Sequence, residues 1–147
     1  MKKIFGMANI LMLLFLTLFP SCQEDIDTQP YDTLPVEVQS FVGKYYPSPV
    51  VNYVHVTHDT YKIYLNNGVL IKFDRQALKW TQVDDPSGIP SAMQTDELPS
   101  ILNLYLENNY PQYYIVSMAH RNDGYTITLY NGTKLKFSSD GSFIKRD

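Results

Sequence analysis

The sequence predicts an α+β fold in which one unit, a helix followed by a three- to four-stranded antiparallel sheet, occurs twice in tandem. Two observations lead to this prediction. Shifting the chain by 64 residues without a gap aligns 32–83 with 96–147 and superposes many identical residues. In both copies, an Asn-Gly pair separates two runs of alternating polarity. Such a pair is typical of a two-residue hairpin turn, because both turn positions favour a positive φ.

An amphipathic helix is expected at the start of each unit. Asp32 and Asp96 are the predicted N-caps, with Pro35 and Pro99 in the first turn, where a missing N–H is harmless. A Tyr-Pro pair then ends each helix. The apolar residues that recur at helical spacing are Leu34, Val38, Phe41, Val42 and Tyr45 in the first unit, and Leu98, Ile101, Leu102, Tyr105 and Leu106 in the second.

Strands are expected after each helix, with a short fourth strand that holds Trp80 in the first unit and ends near Ile144 in the second. The other predicted strands are 50–56, 61–65 and 69–73 in the first unit, and 115–120, 125–130 and 133–137 in the second. A unit of about 50 residues buries too little apolar surface to be stable alone. We therefore expect the two units, 32–84 and 96–147, to share a core or a continuous sheet. The segment 85–95, with Pro86, Gly88 and Pro90, is the predicted linker.

The N-terminus has the layout of a signal peptide. Lys2 and Lys3 precede an apolar run from Ile10 to Phe19. This run is shorter than the roughly 20 residues of a membrane span. Residues 1–21 are therefore predicted to be removed from the mature protein.

The motif Leu18-Phe19-Pro20-Ser21-Cys22 resembles a lipobox, in which signal peptidase II cuts before a cysteine that becomes lipidated. Cys22 is the only cysteine of the chain, so the alternatives are an unmodified or an intermolecular thiol. The following Gln23-Glu24-Asp25-Ile26-Asp27 resembles the acidic tract that directs some Gram-negative lipoproteins to the cell surface. Residues 22–31 are thus a predicted acidic tether, and we expect a lipid anchor in the outer membrane that faces the cell surface or the periplasm.

The charge of the mature chain excludes two classes of partner. Removing 1–21 takes away two of 12 basic residues and none of 15 acidic residues, so the net charge becomes 10 − 15 = −5. Nucleic-acid binding requires clustered lysine and arginine. The same shortage of basic residues argues against binding to a membrane surface, so the lipid is the only membrane anchor that we expect.

The pattern of the whole mature chain carries a second resemblance. In order it reads Leu-Pro, amphipathic helix, Tyr-Pro, strand, Asp-x-Tyr-x-Ile-x-Leu, Asn-Gly and Lys-Phe, then Trp or Asp-Gly. It is similar to the PepSY-like family related to β-lactamase inhibitor protein, whose members are secreted and contain two copies of a helix packed on a small antiparallel sheet. The resemblance implies a binding or inhibitory module for another exported protein. The inhibitor itself has disulfides, which a chain with one cysteine cannot form, so inhibition of a β-lactamase is not inferred.

The sequence gives little support to catalysis, and we expect no metal and no cofactor. His55 and His58 are three residues apart in an extended segment, so their side chains point to opposite faces and cannot share a metal. His120 is near Ser117 and Asp123, without the nucleophile-elbow pattern of a hydrolase. The chain is therefore predicted not to be an enzyme.

Strand alternation assigns tyrosines, lysines and small polar residues to the sheet face away from the helices. A binding face of this composition is typical of protein interfaces, although an ordinary solvated face is the alternative. A second functional hypothesis is a small-ligand or glycan-binding lipoprotein that stacks sugars on tyrosine rings. The predicted binding-face residues are Tyr53, His55, Lys62, Tyr64, Lys72, Thr128, Tyr130 and Lys136.

Thr33 is a candidate for modification. Asp32-Thr33-Leu34 resembles the O-glycosylation acceptor that some Gram-negative anaerobes use on exported proteins. The alternative is that Asp32 serves only as a helix cap.

Overall fold

A computed structural model describes residues 27–147 and contains one antiparallel sheet with helices packed on one of its faces. The predicted signal peptide 1–21 and Cys22 lie outside the described residues. The strands are β1 Asp27–Gln29, β2 Val51–Val56, β3 Thr60–Leu65, β4 Leu70–Asp74, β5 Trp80–Asp84, β6 Ile115–Arg121, β7 Gly124–Leu129, β8 Lys134–Phe137 and β9 Phe143–Arg146. The helices are α1 Val36–Tyr45, α2 Ser91–Glu97 and α3 Ser100–Asn109, with a 3-10 turn at Tyr31–Thr33.

The nine strands of the sheet follow one another in chain order, each antiparallel to the next. The boundary between the predicted units is bridged by β5 and β6, where Val83 pairs with Met118 and Asp84 with Ser117. The expectation of a continuous sheet is therefore confirmed.

The order of one helix and four strands occurs twice, as α1 with β2–β5 and as α3 with β6–β9. Strands β6, β7 and β8 begin 64 residues after β2, β3 and β4, since 51 + 64 = 115, 60 + 64 = 124 and 70 + 64 = 134. Irregularities in the register also recur at this distance, between Val51 and Tyr53 and between Ile115 and Ser117. The hairpin glycines Gly68 and Gly132 have φ values of 86° and 85°, but the predicted positive φ at Asn67 and Asn131 was wrong, because Leu78 is the one non-glycine residue of 27–147 with a positive φ. Each hairpin loop has three residues instead of two, with the Gly68 N–H bonded to the Leu65 carbonyl and the Gly132 N–H bonded to the Leu129 carbonyl.

The core lies between the helices and one face of the sheet. The residues of β3, β4, β7 and β8 that strand alternation places under the helices are buried, except Tyr125, which is half-buried. The largest fully buried side chains include Phe73, Ile63, Ile71, Ile127, Leu135 and Phe137 from the strands, and Val38, Met93 and Leu102 from the helices.

The predicted helix starts were wrong. Pro35 and Pro99 are the N-cap residues of α1 and α3, and no side chain caps either helix. A residue before proline is restricted to extended backbone, and Leu34 and Leu98 have ψ values of 158° and 145°. Asp32 therefore belongs to the 3-10 turn, before the break, and cannot cap α1. Asp96 belongs to α2 for the same reason.

Two segments that were expected to be irregular contain regular structure. In the predicted linker 85–95, α2 begins at Ser91, and the side chains of Ile89 and Met93 are buried. In the predicted tether 22–31, residues 27–29 form β1 and pair with β2. Both segments therefore belong to the folded unit, and residues 22–26 lie outside the described part of the chain.

The last strand differs from the prediction. It continues to Arg146, two residues beyond Ile144. Phe143 pairs with Phe137 as Trp80 pairs with Phe73, so the repeat distance is 63 residues here, since 143 − 80 = 63. The ungapped alignment missed this because five residues, 138–142, separate Phe137 from Phe143, whereas six residues, 74–79, separate Phe73 from Trp80.

Side chains also attach α2 to the first half of the molecule. The Tyr45 hydroxyl donates to Glu97 Oε1 at 2.7 Å, and Trp80 Nε1 donates to Glu97 Oε2 at 2.8 Å. Burial, followed by the hydrogen bond to Glu97, raises the pKa of Tyr45 to about 12. The Tyr46 hydroxyl reaches the buried carboxylate of Asp85 at 3.3 Å. These contacts hold the segment between the halves on the core and leave the opposite sheet face clear.

Candidate binding face

The sheet face opposite the helices is here called the open face. Along β3 and β4 its residues are half-buried, whereas the residues that alternate with them are buried under the helices. It carries Tyr53, His55, Lys62, Tyr64, Leu70, Lys72, Gln82, Asp84, Ser117, Ala119, Thr126, Thr128, Lys134, Lys136 and Lys145. Seven of the eight predicted binding residues are among them. The eighth, Tyr130, follows β7 directly, at the hairpin.

Two stacked tyrosine pairs lie at the end of the sheet that carries the Asn-Gly hairpins. Tyr53 and Tyr64 pair across β2 and β3, with ring centroids 4.4 Å apart and planes 19° apart. Tyr114 and Tyr130 stack at 4.7 Å, and the Tyr130 N–H donates to the Tyr114 carbonyl. Tyr64 is half-buried and Tyr130 is exposed. Tyr64 and Tyr130, both predicted binding-face residues, each therefore have a second tyrosine against the ring, which reduces the freedom of the ring before any partner binds.

The ring of Tyr114 packs close to the backbone of Gly88. A Cβ atom on Gly88, whose φ is 110°, would lie 3.0 Å from the Tyr114 ring. Sequence analysis did not single out Tyr114, because it precedes β6 rather than lying in it. Its alternation with the buried Ile115 is the signal that could have marked it as exposed.

A chain of hydrogen bonds crosses the middle of the open face. Lys72 Nζ donates to Gln82 Oε1 at 3.1 Å, and Gln82 Nε2 donates to Asp84 Oδ2 at 2.7 Å. The Ser117 hydroxyl donates to the other oxygen of Asp84 at 2.5 Å. The Asp84 carboxylate is therefore held at the junction of β5 and β6, away from the lysines.

Unlike Asp84, Asp147 in the second half of the sheet pairs with lysines. Its carboxylate contacts Lys145 Nζ at 2.7 Å and Lys136 Nζ at 3.2 Å. Hydrogen bonds from Lys145 and then Lys136 hold the pKa of the Asp147 carboxyl below its usual range. Lys145 was also missed in the sequence, because the last strand was predicted to end near Ile144.

The three histidines do not form a catalytic group. Ser117 and His120 are three residues apart in β6 and so point to opposite faces, and the Ser117 hydroxyl donates to Asp84. His120 stacks on Tyr125 at 4.6 Å. His58 is exposed after β2, and His55 is on the open face with its Nε2 buried and without a hydrogen-bond partner. Within residues 27–147, no three histidine, cysteine, aspartate or glutamate residues are grouped to hold a metal ion.

The depressions on the open face are shallow grooves. One, of about 470 Å³, is lined by Ser117, Ala119, Thr126, Thr128 and Lys136, among others. Another, of about 590 Å³, is lined by Lys62, Lys72, Gln82 and Arg121, with Asp59 as the acidic residue in its wall. Both grooves are open to solvent on one side, so an extended or convex surface can enter them.

Thr33 lies in the 3-10 turn and is exposed. Its hydroxyl donates to the Pro30 carbonyl at 2.7 Å and accepts from Gln29 Nε2 at 2.8 Å. A glycan at this position would replace the first of these bonds. O-glycosylation of Thr33 remains a prediction.

The family with this arrangement is described as "Putative beta-lactamase-inhibitor-like, PepSY-like", and its model matches residues 23–78 and 76–145. The chain belongs to this PepSY-like family. The resemblance drawn from the Leu-Pro, Tyr-Pro and Asn-Gly pattern is thereby confirmed, as is the α+β class. The family is described by its likeness to an inhibitor and not by a reaction.

Solved structures from Bacteroides share the fold of this PepSY-like chain. A "putative periplasmic protein of unknown function" from Bacteroides vulgatus is 24% identical with a TM-score of 0.75, and covers 82% of this chain and 98% of its own. A second B. vulgatus "putative periplasmic protein" is 24% identical, with a TM-score of 0.76 and coverages of 85% and 98%. A "putative calcium-regulated periplasmic protein" from Bacteroides thetaiotaomicron is 23% identical, with a TM-score of 0.76 and coverages of 84% and 97%. These likenesses show the fold alone.

No curated protein matches the chain. Among residues 27–147, none of the helices combines the length and the apolar character needed to cross a membrane.

Proposed function

We propose that this protein is a non-catalytic lipoprotein of the cell envelope that binds another exported protein with the open face of its sheet. The observation that carries the proposal is the composition of that face. Stacked tyrosines and lysines occupy the side of the sheet that the helices leave uncovered. Tyrosine rings give large contact areas at little cost in rotamer entropy.

The location in the envelope is part of the same proposal. The signal-peptide pattern and Cys22 support a lipid anchor in the outer membrane, facing either the cell surface or the periplasm. The related Bacteroides structures are described as periplasmic, in agreement with export.

We also propose that the two helix-and-sheet units arose by duplication. The 64-residue offset between corresponding strands and the recurring register irregularities support this origin. The binding residues are not duplicated in the same way, because Tyr53 and Tyr64 correspond to Ser117 and Thr128. At these two positions the first half supplies aromatic groups and the second half supplies small polar groups, whereas the stacked pair of the second half is formed by Tyr114 and Tyr130.

The alternative, a glycan-binding site, has some support from the stacked tyrosines. Sugars stack on aromatic rings, and the exposed Tyr130 offers such a surface. Against this, the grooves of the open face are open to solvent on one side, and the hydrogen-bond donors and acceptors at its centre are already paired with each other. This arrangement favours a protein partner.

The proposal predicts that Tyr64→Ala combined with Tyr130→Ala weakens partner binding by at least about 2 kcal/mol while the protein stays folded. The partner is first captured by crosslinking in the native envelope, and its affinity is then measured for the wild type and the variants. The matched control is Ile101→Ala with Leu104→Ala, because these exposed side chains lie on α3. The control should bind like the wild type.

Two results would contradict the proposal. Unchanged affinity in the folded tyrosine variant would place the site elsewhere, and a loss only in the α3 control would place it on the helices. If the tyrosine variant fails to fold, Tyr130→Ala alone is the informative variant, because Tyr130 is exposed.

A further inference from the structure

One row of side chains crosses the open face without an acidic residue. Its members pair strand by strand from β2 to β9: His55, Lys62, Lys72, Gln82, Ala119, Thr126, Lys136 and Lys145. Lys62 and Lys72 follow His55 at the β2 end of the row, Lys136 and Lys145 occupy the β9 end, and small or neutral side chains occupy its middle. Like charges directly opposite each other in a sheet are unfavourable, so each lysine pair favours an anion between its members.

The lysine pair of the second half has its anion. Lys136 and Lys145 are directly opposite on β8 and β9, and the Asp147 carboxylate bridges their ammonium groups at 3.2 and 2.7 Å. This is an internal example of how a cross-strand lysine pair on this face binds a carboxylate.

The lysine pair of the first half has no such carboxylate. Lys62 and Lys72 are directly opposite on β3 and β4, and neither forms an ion pair with any acidic residue in the described part of the chain. Asp84 follows Gln82 by two residues, as Asp147 follows Lys145. Its carboxylate is engaged instead by Gln82 and by Ser117 of the next strand.

The surroundings are unusually positive for this chain. Residues 27–147 contain 13 acidic and 10 basic residues, a net charge of −3. The open face and the end of β6 nevertheless carry six of the ten basic residues: Lys62, Lys72, Arg121, Lys134, Lys136 and Lys145. The acidic residues on the face or in the walls of its grooves are Asp59, Asp74, Asp84, Asp123 and Asp147, so the six basic residues exceed them by one. The helix segments 31–45 and 85–109 hold six acidic residues and one basic residue. The positive charge of the molecule is thus concentrated where the partner is proposed to bind.

We propose that the Lys62–Lys72 pair is the subsite for a carboxylate side chain of an acidic protein partner. The inference rests on the proposed binding role of the open face and names the chemistry of the partner. Tyr64 lies two residues from Lys62 on the same face and stacks on Tyr53, so an aromatic surface flanks the subsite. The partner therefore presents an aspartate or glutamate beside an apolar contact.

The test is an NMR titration of the chain with Cys22→Ser, using a synthetic peptide of alternating glycine and glutamate. We expect saturable shifts at the backbone amides of Lys62, Lys72 and Gln82, which diminish as salt is added. Lys62→Gln with Lys72→Gln should weaken binding by at least about tenfold, since both charges of the subsite are lost. Lys134→Gln is the matched control, because Lys134 is exposed on the same face outside the row. The control should keep the affinity of the wild type.

Further measurements test whether binding depends on the charges of the peptide and of the two lysines. A peptide with glutamine in place of glutamate should not bind, and Lys62→Arg with Lys72→Arg should retain binding because the charges remain. If the glutamine variants do not fold, the arginine variants and the salt dependence carry the test. Absence of saturable shifts in the wild type, or equal loss in Lys134→Gln, would overturn the inference. Inorganic phosphate binding as tightly as the glutamate peptide would also overturn it, because the site would then be a general anion site.

The result is distinguishable from failure of the proposed function. If the captured partner loses affinity in the tyrosine variant but not in Lys62→Gln with Lys72→Gln, the open face binds a partner and the carboxylate subsite is wrong. If the peptide binds as expected but no tyrosine substitution affects a partner, the subsite exists without the proposed function.

Discussion

Phe73 and Phe137 occupy corresponding positions in β4 and β8 and are 2% and 1% exposed. Each ring also packs edge-on against a helix aromatic: Phe41 lies 5.1 Å from Phe73, and Tyr105 lies 5.5 Å from Phe137. Phe73→Ala and Phe137→Ala are each expected to lower the free energy of unfolding by about 3–5 kcal/mol, because truncation leaves a cavity as well as lost apolar burial. Urea denaturation measures the change.

Phe143→Ala is the control for these substitutions. Phe143 is 38% exposed and stacks on Tyr105 at 4.5 Å, so the neighbouring side chains can close over the change. Its loss should be clearly smaller than that of Phe137→Ala. Losses below about 1 kcal/mol at Phe73 and Phe137 would contradict the assignment of these rings to the core.

At the level of single residues, the alternation of polar and apolar side chains predicted the two sides of a strand where the strand is regular. The buried and open sides of β3, β4, β7 and β8 follow from the period of two, because one side meets the helices and the other does not. The capping prediction failed at Asp32 and Asp96. A proline three residues later sets the start of the helix more strongly than a side-chain cap does.

Gly124 begins β7 at a place where the backbones of β7 and β8 approach closely. Its φ is 130°, and a Cβ atom would lie 2.0 Å from the carbonyl oxygen of Phe137. Gly124→Ala is therefore expected to lower the free energy of unfolding by more than about 3 kcal/mol, since backbone strain adds to a steric clash. Thermal or urea unfolding of the purified variant measures the loss.

Gly43→Ala is the matched control for this element. Gly43 is in the interior of α1, and a Cβ atom there would meet nothing within 4 Å. Alanine should stabilise the protein by about 0.5–1 kcal/mol, because glycine loses more backbone entropy in a helix. Equal effects of the two substitutions would show that the approach at Gly124 is not close.

Helix α2 and the end of β9 are the elements that sequence patterns could not predict. The segment before α2 contains Pro86, Gly88 and Pro90, a composition typical of a linker, yet Asp85 and Ile89 are buried there. Its order depends on contacts distant in sequence, such as Tyr46 with Asp85 and Tyr45 with Glu97. A local pattern does not contain that information.

For the molecule as a whole, a lipid on Cys22 is the predicted attachment to the envelope. Labelled palmitate should enter the wild type and not Cys22→Ser, because the thiol of Cys22 is the predicted acylation site. Cys22 is five residues before Asp27, and five extended residues span at most about 18 Å, so β1 would lie close to the membrane surface. Equal labelling of both proteins would contradict the lipoprotein assignment.

The candidate site could be predicted only in part, because it combines the two halves of the sheet. Strand alternation placed Lys62, Tyr64 and Lys72 on the open face. It could not show that β5 pairs with β6, so the contact of Ser117 with Asp84 was not foreseen. The continuous row of side chains depends on this long-range pairing.

The most direct test of the account is site-specific photocrosslinking in the native envelope. A photoreactive amino acid replaces Thr128 on the open face in one variant and Leu104, which is 58% exposed on α3, in the other. If the open face binds an exported partner, a discrete adduct forms from position 128 and is absent from position 104. An adduct from position 104 alone would contradict the account, because the helices would then carry the interface.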